Sequence, residues 1–281
     1  MEIKSVGKYF YNICFLDKSR RSAAGVEFIS LDMAGHSHWA QIKHKKAKAD
    51  AQKGKLFSKL AKEIMIAARL GGPNPDHNPR LRQAIERAKK AKMPSEKIEY
   101  AIKKGAGLIE GETIEEVVYE GYGPAGVAIM VVAQTDNKNR TVAEIRNIFN
   151  KHGGKLGTSG SVAFLFERKG VIEVPASEID EETILEKAIE AGAEDVQPGE
   201  EVHIIYTSPE ELYQVKEELE KLGVPVEKAE LSYIPTTTVR VENPDEAQKL
   251  LKLLSALEDH DDVSQVISNF EIPEEVMEKI S

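Results

Sequence analysis

Between Val171 and Tyr233 the polarity pattern runs in one order: strand Val171–Val174, helix Glu181–Ala191, a short strand near Val196, strand Val202–Thr207, helix Pro209–Leu222 and strand Val226–Tyr233. Alternating or continuous Val/Ile runs mark the strands, and apolar residues three and four apart mark the helices. Strand-helix-strand-strand-helix-strand is the split β-α-β order of a ferredoxin-like unit. With those residues set aside, the flanking pieces give the same order again. They are strand Val127–Thr135, helix Asn139–His152, strand Ser161–Glu167, strand Thr237–Val241, helix Pro244–Glu258 and strand Val263–Phe270, with a further strand at Val117–Tyr122. The expectation is an α+β chain in which an inserted ferredoxin-like domain (169–235) interrupts a first α+β domain (113–168 plus 236–281).

Ahead of these lies a basic leader and helical domain, 33–112. A helix near 55–70 carries Leu56, Phe57, Leu60, Ile64 and Ala67 on one stripe and stops at Gly71-Gly72. Asn78 is the expected N-cap and Pro79 the first residue of a second helix, 79–92. Pro94 opens a third, which holds Ile98, Ala101 and Ile102 and ends at Gly105. Three short amphipathic helices with tight connections make a small bundle. Residues 1–32 show neither helical nor strand periodicity and are too acidic for a transit peptide. They read as an extension upstream of a native start at Met33.

The net charge of −9 conceals a division. Met33–Gly107 has 18 Lys and Arg against 6 Asp and Glu, a net of +12, whereas Leu108–Ser281 has 15 against 37, a net of −22. Such one-sided placement points to a polyanionic partner for the basic block, namely nucleic acid. The leader interleaves His36, His38, Trp39 and His44 with Lys43, Lys45, Lys46, Lys48, Lys53, Lys55 and Lys59. Lysines neutralise phosphates and release counterions, and an aromatic ring stacks on an exposed base. Arg80 and Arg82 fall in the first turn of the second helix, where a cation opposes the helix dipole. Either a phosphate sits there, or the arginines pair with Asp76 or Glu86. Lys89 and Lys90 extend the same helix, and Lys138 and Arg140 in TDNKNRT make a possible secondary contact. YEGYGPAG and TDNKNRT read first as turns and caps.

Several classes are excluded. Cys14 is the single cysteine, so there is no disulfide framework and no cysteine-based zinc site. His36, His38 and His44 lack an evident fourth ligand, and no metal or cofactor is expected. No apolar run approaches the roughly 18–20 residues of a membrane span, and a cytoplasmic setting is expected. No phosphate-binding glycine loop and no nucleophile set with spacing logic is present, so the chain is not expected to be an enzyme. The cluster Glu258, Asp259, His260, Asp261, Asp262 places acids at a helix C-terminus, where they are unfavourable. It reads as a hydrated loop or as a docking point for a basic surface, with a divalent-cation site as the lesser alternative.

Seven strings, AGHSHWAQIKHKKAKAD, GGPNPDHNPRLRQAIERAKKAKMP, YEGYGPAGVAI, TDNKNRT, KHGG, GSVAFLFERKG and LEDHDDVSQVISNF, span about five-sixths of the chain in order. From Met33 to Glu271 the chain resembles the YebC/PmpR proteins, whose mitochondrial relatives activate translation of cytochrome oxidase. The resemblance implies a helical domain and two α+β domains around a cleft. It also implies either a DNA-binding transcriptional regulator or a ribosome-associated translation factor bound to ribosomal RNA, with a protein partner possible on the acidic domains. The basic helix pair 79–92 and 94–104 suits a DNA groove without strict helix-turn-helix chemistry. The leader with Trp39 suits irregular RNA. A metal-dependent nuclease using the 258–262 acids is the third expectation, and the weakest.

Overall fold

The computed structural model describes residues 51–280, with side chains from residue 54 onward. The helices are α1 (Ala51–Gly71), α2 (Pro79–Lys90), α3 (Ser95–Gly105), α4 (Lys138–Lys151), α5 (Glu181–Ala191), α6 (Leu212–Lys221), α7 (Pro244–Glu258) and α8 (Glu274–Ile280). The strands are β1 (Glu115–Tyr122), β2 (Ala128–Thr135), β3 (Lys155–Leu156), β4 (Phe166–Pro175), β5 (Asp195–Gln197), β6 (Val202–Thr207), β7 (Lys228–Pro235), β8 (Val239–Arg240), β9 (Val263–Ser268) and β10 (Phe270–Glu271).

Leu60, Ile64 and Ala67 of α1 share one face and pack on Leu81, Ala84 and Ala88 of α2 and on Ile98 and Ala101 of α3. Leu56, expected on this stripe, is 46% exposed, because burial on α1 begins only at Leu60. Asn78 fastens two helix ends at once. Its Oδ1 accepts from Leu81 N (3.1 Å) and caps α2, while its Nδ2 donates to Ala67 O (2.8 Å) and Gly72 O (2.8 Å) at the end of α1. Gly105 lets α3 close on α1, since a Cβ there would sit 2.3 Å from Met65 O.

The first sheet has the order β3-β1-β2-β9 with antiparallel neighbours throughout. On one face Ile129, Val131 and Ala133 of β2 pack against Ile145 and Phe149 of α4 and against Leu250, Leu253, Leu254 and Leu257 of α7. On the other, Ala128, Met130 and Val132 meet Val162, Phe166 and Ile267. β2 is therefore buried on both sides, which is why its sequence is continuously apolar. The second sheet, β5-β6-β4-β7, is antiparallel and carries α5 and α6 over a core of Ile172, Val174, Ile184, Ala188, Ile205, Leu212 and Leu219. The fold is α+β, with a three-helix N-terminal part and two sheets of ferredoxin-like order, the second inserted in the first.

Two expectations need correction. Ser161–Glu167 is not a strand of the first sheet: Ala163–Leu165 form a 3-10 turn, and the backbone from Phe166 is the start of β4 in the second sheet. That strand's place at the sheet edge is taken by β3, and the place between β2 and β3 by β1, which precedes the unit in the chain. Thr237–Val241 likewise stays out of the first sheet, and β8 pairs in parallel with β10.

Candidate nucleic-acid interface

Of the residues expected to bind nucleic acid, His36, His38, Trp39, Lys43, His44, Lys45, Lys46 and Lys48 lie outside the described residues. The side chain of Lys53 does too, although its backbone belongs to α1. The rest fall into an engaged set and an open set.

The lysines of α1 engage the acidic cluster at the C-terminus of α7. Lys55 Nζ reaches Asp261 Oδ1 (3.2 Å) and Asp259 O (3.3 Å), Lys59 Nζ donates to Glu258 O (2.7 Å), and Lys62 Nζ meets Asp262 Oδ1 (2.5 Å). Ammonium groups placed on the last carbonyls of a helix offset its negative end. The acids that oppose the dipole of α7 are thereby compensated by α1, so the basic surface that the cluster docks against is the chain's own.

Asp262 also accepts from Arg140 Nη2 (2.9 Å) and Thr141 Oγ1 (2.8 Å) of α4. Burial pushes its carboxyl up, but Lys62, Thr141 and Arg140 together hold it well below the usual carboxylate range. Ligand atoms of Asp262, His260 and Glu144 lie within 4.8 Å of one another. A divalent ion there would sit against an ammonium and a guanidinium, so the arrangement suits an ion-pair junction rather than a metal. Lys138 pairs with Glu115, and Arg140 also pairs with Asp136 (3.0 Å). Asn137 Oδ1 caps α4 by accepting from Arg140 N (3.0 Å), the turn chemistry read in TDNKNRT.

Arg80 and Arg82 have partners other than those expected. Arg80 Nε and Nη2 clasp Glu63 of α1 (2.9 and 3.3 Å), and Nη2 also meets Glu116 of β1 (2.8 Å). Burial raises the Glu63 carboxyl, and Arg80 with Gln134 outweighs it, leaving Glu63 below its ordinary value. The anion that Arg80 balances is internal, and this guanidinium is a bridge between the helical part and the first sheet instead of a phosphate site. Arg82 pairs with Glu217 of α6 (2.9 Å) and donates to Pro75 O and Asp76 O. Neither arginine pairs with the Asp76 or Glu86 carboxylate; these partners come from remote elements that local spacing does not reveal.

The open set lies on α2, on α3 and in the turn between them. Lys89 and Lys90 are exposed, as are Lys92 and Lys103, and none of the four pairs with a described residue. Sequence reading missed Tyr100, which is 50% exposed on α3. Lys97, Lys103 and Lys104 stand three and four residues from it, so the ring and three cations share one helix face. The i−3, i+3, i+4 spacing around an aromatic was the available signal.

The family model described as TACO1/YebC protein N-terminal domain matches residues 37–108, and that described as TACO1/YebC second and third domain matches residues 114–270. The chain belongs to the TACO1/YebC family. The two TACO1/YebC matches meet between α3 and β1, at the change from helical bundle to sheet. A relative from Aquifex aeolicus, named probable transcriptional regulatory protein, is 71% identical over 248 residues, covering 88% of this chain and 100% of its own. One from Persephonella marina with the same name is 62% identical over 250 residues, covering 89% of this chain and 100% of its own. The crystal structure of the conserved hypothetical protein Aq1575 from Aquifex aeolicus superposes with a TM-score of 0.80 at 71% identity, over 84% of this chain and 98% of that one. No helix among the described residues is long and apolar enough to cross a membrane.

Proposed function

We propose that this chain is a nucleic-acid-binding regulator of gene expression, acting on DNA as a transcriptional regulator in the cytoplasm, with no enzymatic step of its own. The observation that carries the reading is the set of exposed lysines without an ion-pair partner among the described residues, Lys89 and Lys90 on α2, Lys92 in the turn after it and Lys103 on α3, within a block of net charge +12. Lysines that no carboxylate neutralises are available to displace counterions from phosphates. The names of the relatives from Aquifex aeolicus and Persephonella marina agree with a regulatory role. With lysine as the main contact residue, binding is dominated by phosphates and sequence discrimination is modest. The acidic domains present surfaces for a protein partner.

A second reading, a ribosome-associated factor bound to ribosomal RNA, is favoured by Tyr100 among the lysines of α3, an arrangement suited to unstacked bases. A nuclease gains no support, because Asp262, the buried acid of the 258–262 cluster, already holds Lys62 and Arg140. Crosslinking the protein in cells and sequencing the attached nucleic acid separates the readings. Promoter fragments are expected; ribosomal RNA would move the function to translation, and no enrichment of either would overturn both.

A further inference from the structure

Within the acidic half, the charge inverts locally. Arg146–Lys169 contains five Lys and Arg against one acid, Glu167, although Leu108–Ser281 as a whole is at −22. Arg146, Lys151, Lys155 and Arg168 are exposed and form no ion pair with a described residue. In the same stretch Phe164 is 72% exposed, level with the most exposed large apolar side chains described.

The turn that carries Phe164 is held from several directions. The buried Glu120 carboxylate accepts from Gly160 N (2.7 Å), Val162 N (2.8 Å) and Ala163 N (2.8 Å). Leu165 O accepts from Thr236 N (2.9 Å) and Oγ1 (3.1 Å), and Val162 and Phe166 are anchored in the core beneath the first sheet. Tyr122 Oη donates to Ser161 O (2.9 Å), and Tyr122 lies opposite Lys155 in the β1–β3 register. The turn is thus tied to the basic edge strand, and Lys151 ends the helix that leads into it. An exposed aromatic on a frame this constrained presents its ring without a further ordering cost on binding.

We propose that this surface is a second nucleic-acid contact, taking an unpaired base on the Phe164 ring and the adjoining phosphates on Lys151 and Lys155. The proposal rests on the nucleic-acid reading above but concerns other elements, the stretch from the end of α4 to the start of β4, and its ligand is a single strand. A stacked base is worth roughly 1–3 kcal/mol, about 5- to 150-fold in affinity.

The test measures binding of the full chain to a 12-nucleotide oligo(dT), a 12-nucleotide oligo(U) and a 12-base-pair duplex by fluorescence anisotropy. Phe164→Ala is expected to weaken single-strand binding about 5- to 150-fold while leaving the duplex within about twofold, and Phe164→Trp is expected to restore it. Replacing Lys151 and Lys155 with Ala should lower the single-strand salt slope by about two. Loss confined to one strand type identifies DNA or RNA as the source of the base. Unchanged single-strand affinity in Phe164→Ala, which would leave the ring to a protein partner, or equal loss on the duplex, overturns the proposal. A wild-type chain that binds duplex but neither single strand defeats this inference alone; one that binds nothing defeats the proposed function as well.

Discussion

Asp262 fixes Lys62: the carboxylate Oδ1 meets the ammonium at 2.5 Å, with the Lys62 side chain 20% and the Asp262 side chain 6% exposed. Lys62 lies on α1, and Asp262 binds α4 through its other oxygen, so one carboxylate joins the helical part to the first α+β domain. Its neighbours on the cluster bind Lys55 and Lys59 of the same helix. Two lysines expected to face nucleic acid are therefore engaged within the chain, and the proposed binding surface is carried by lysines further along the helical part.

Asp262→Asn should destabilise the fold by about 1.5–3 kcal/mol at neutral pH, the range for a hydrogen bond to a charged group. Because the folded carboxyl titrates below its unfolded value of about 3.9, its stabilisation is complete above that pH and is lost as pH falls through the folded value. Urea denaturation at pH 7 and pH 3 checks both points. The gap between wild type and variant should narrow in acid, and a gap that widens contradicts the assignment.

Asn78→Ala removes a cap on α2 and two donations to the end of α1, and is expected to cost about 2–3 kcal/mol. Asn78→Asp keeps the acceptor for Leu81 N but loses both donations, so its melting temperature should fall between the two. An Asn78→Asp melting temperature equal to that of the wild type would show that the end of α1 does not depend on Asn78.

Arg80→Met leaves Glu63 with Gln134 but without its cation. The loss expected is about 2–4 kcal/mol for a mostly buried pair broken on one side, with affinity for duplex DNA within about twofold of wild type. A stable variant with weakened DNA binding would return Arg80 to the interface.

Much of the fold is legible in the sequence where a segment's own periodicity decides it. α5, α7 and β6 have the bounds expected from their patterns, and Asn78 with Pro79 marks the start of α2. What periodicity does not carry is which strand fills a place in a sheet. Strand order follows long-range pairing, and β1 takes the place beside β2 that Thr237–Val241 would hold in the expected unit, its register with β2 being continuous from Glu115 to Tyr122. α8 was not anticipated; its seven residues owe their burial to Val276 and Met277, too few for a periodic signal. The candidate site was legible only as net charge. Its division into engaged and open lysines depends on partners remote in the chain, such as the Asp262 carboxylate, 200 residues from Lys62.

The most direct measurement is the salt dependence of duplex-DNA binding by the full chain and by a variant with Lys43, Lys45, Lys46, Lys48, Lys89 and Lys90 all replaced by alanine. For the wild type, 6–10 phosphate contacts imply a fall of roughly 10³–10⁵ in affinity between 50 and 200 mM salt. Each lost contact reduces the slope by about one unit, so the variant should lose up to about six. Exposed lysines away from caps and networks change stability by about 0.5 kcal/mol or less each, so only a small shift in melting temperature is expected. A variant that binds DNA with the wild-type slope would contradict the account, since the basic block would then not be what holds nucleic acid.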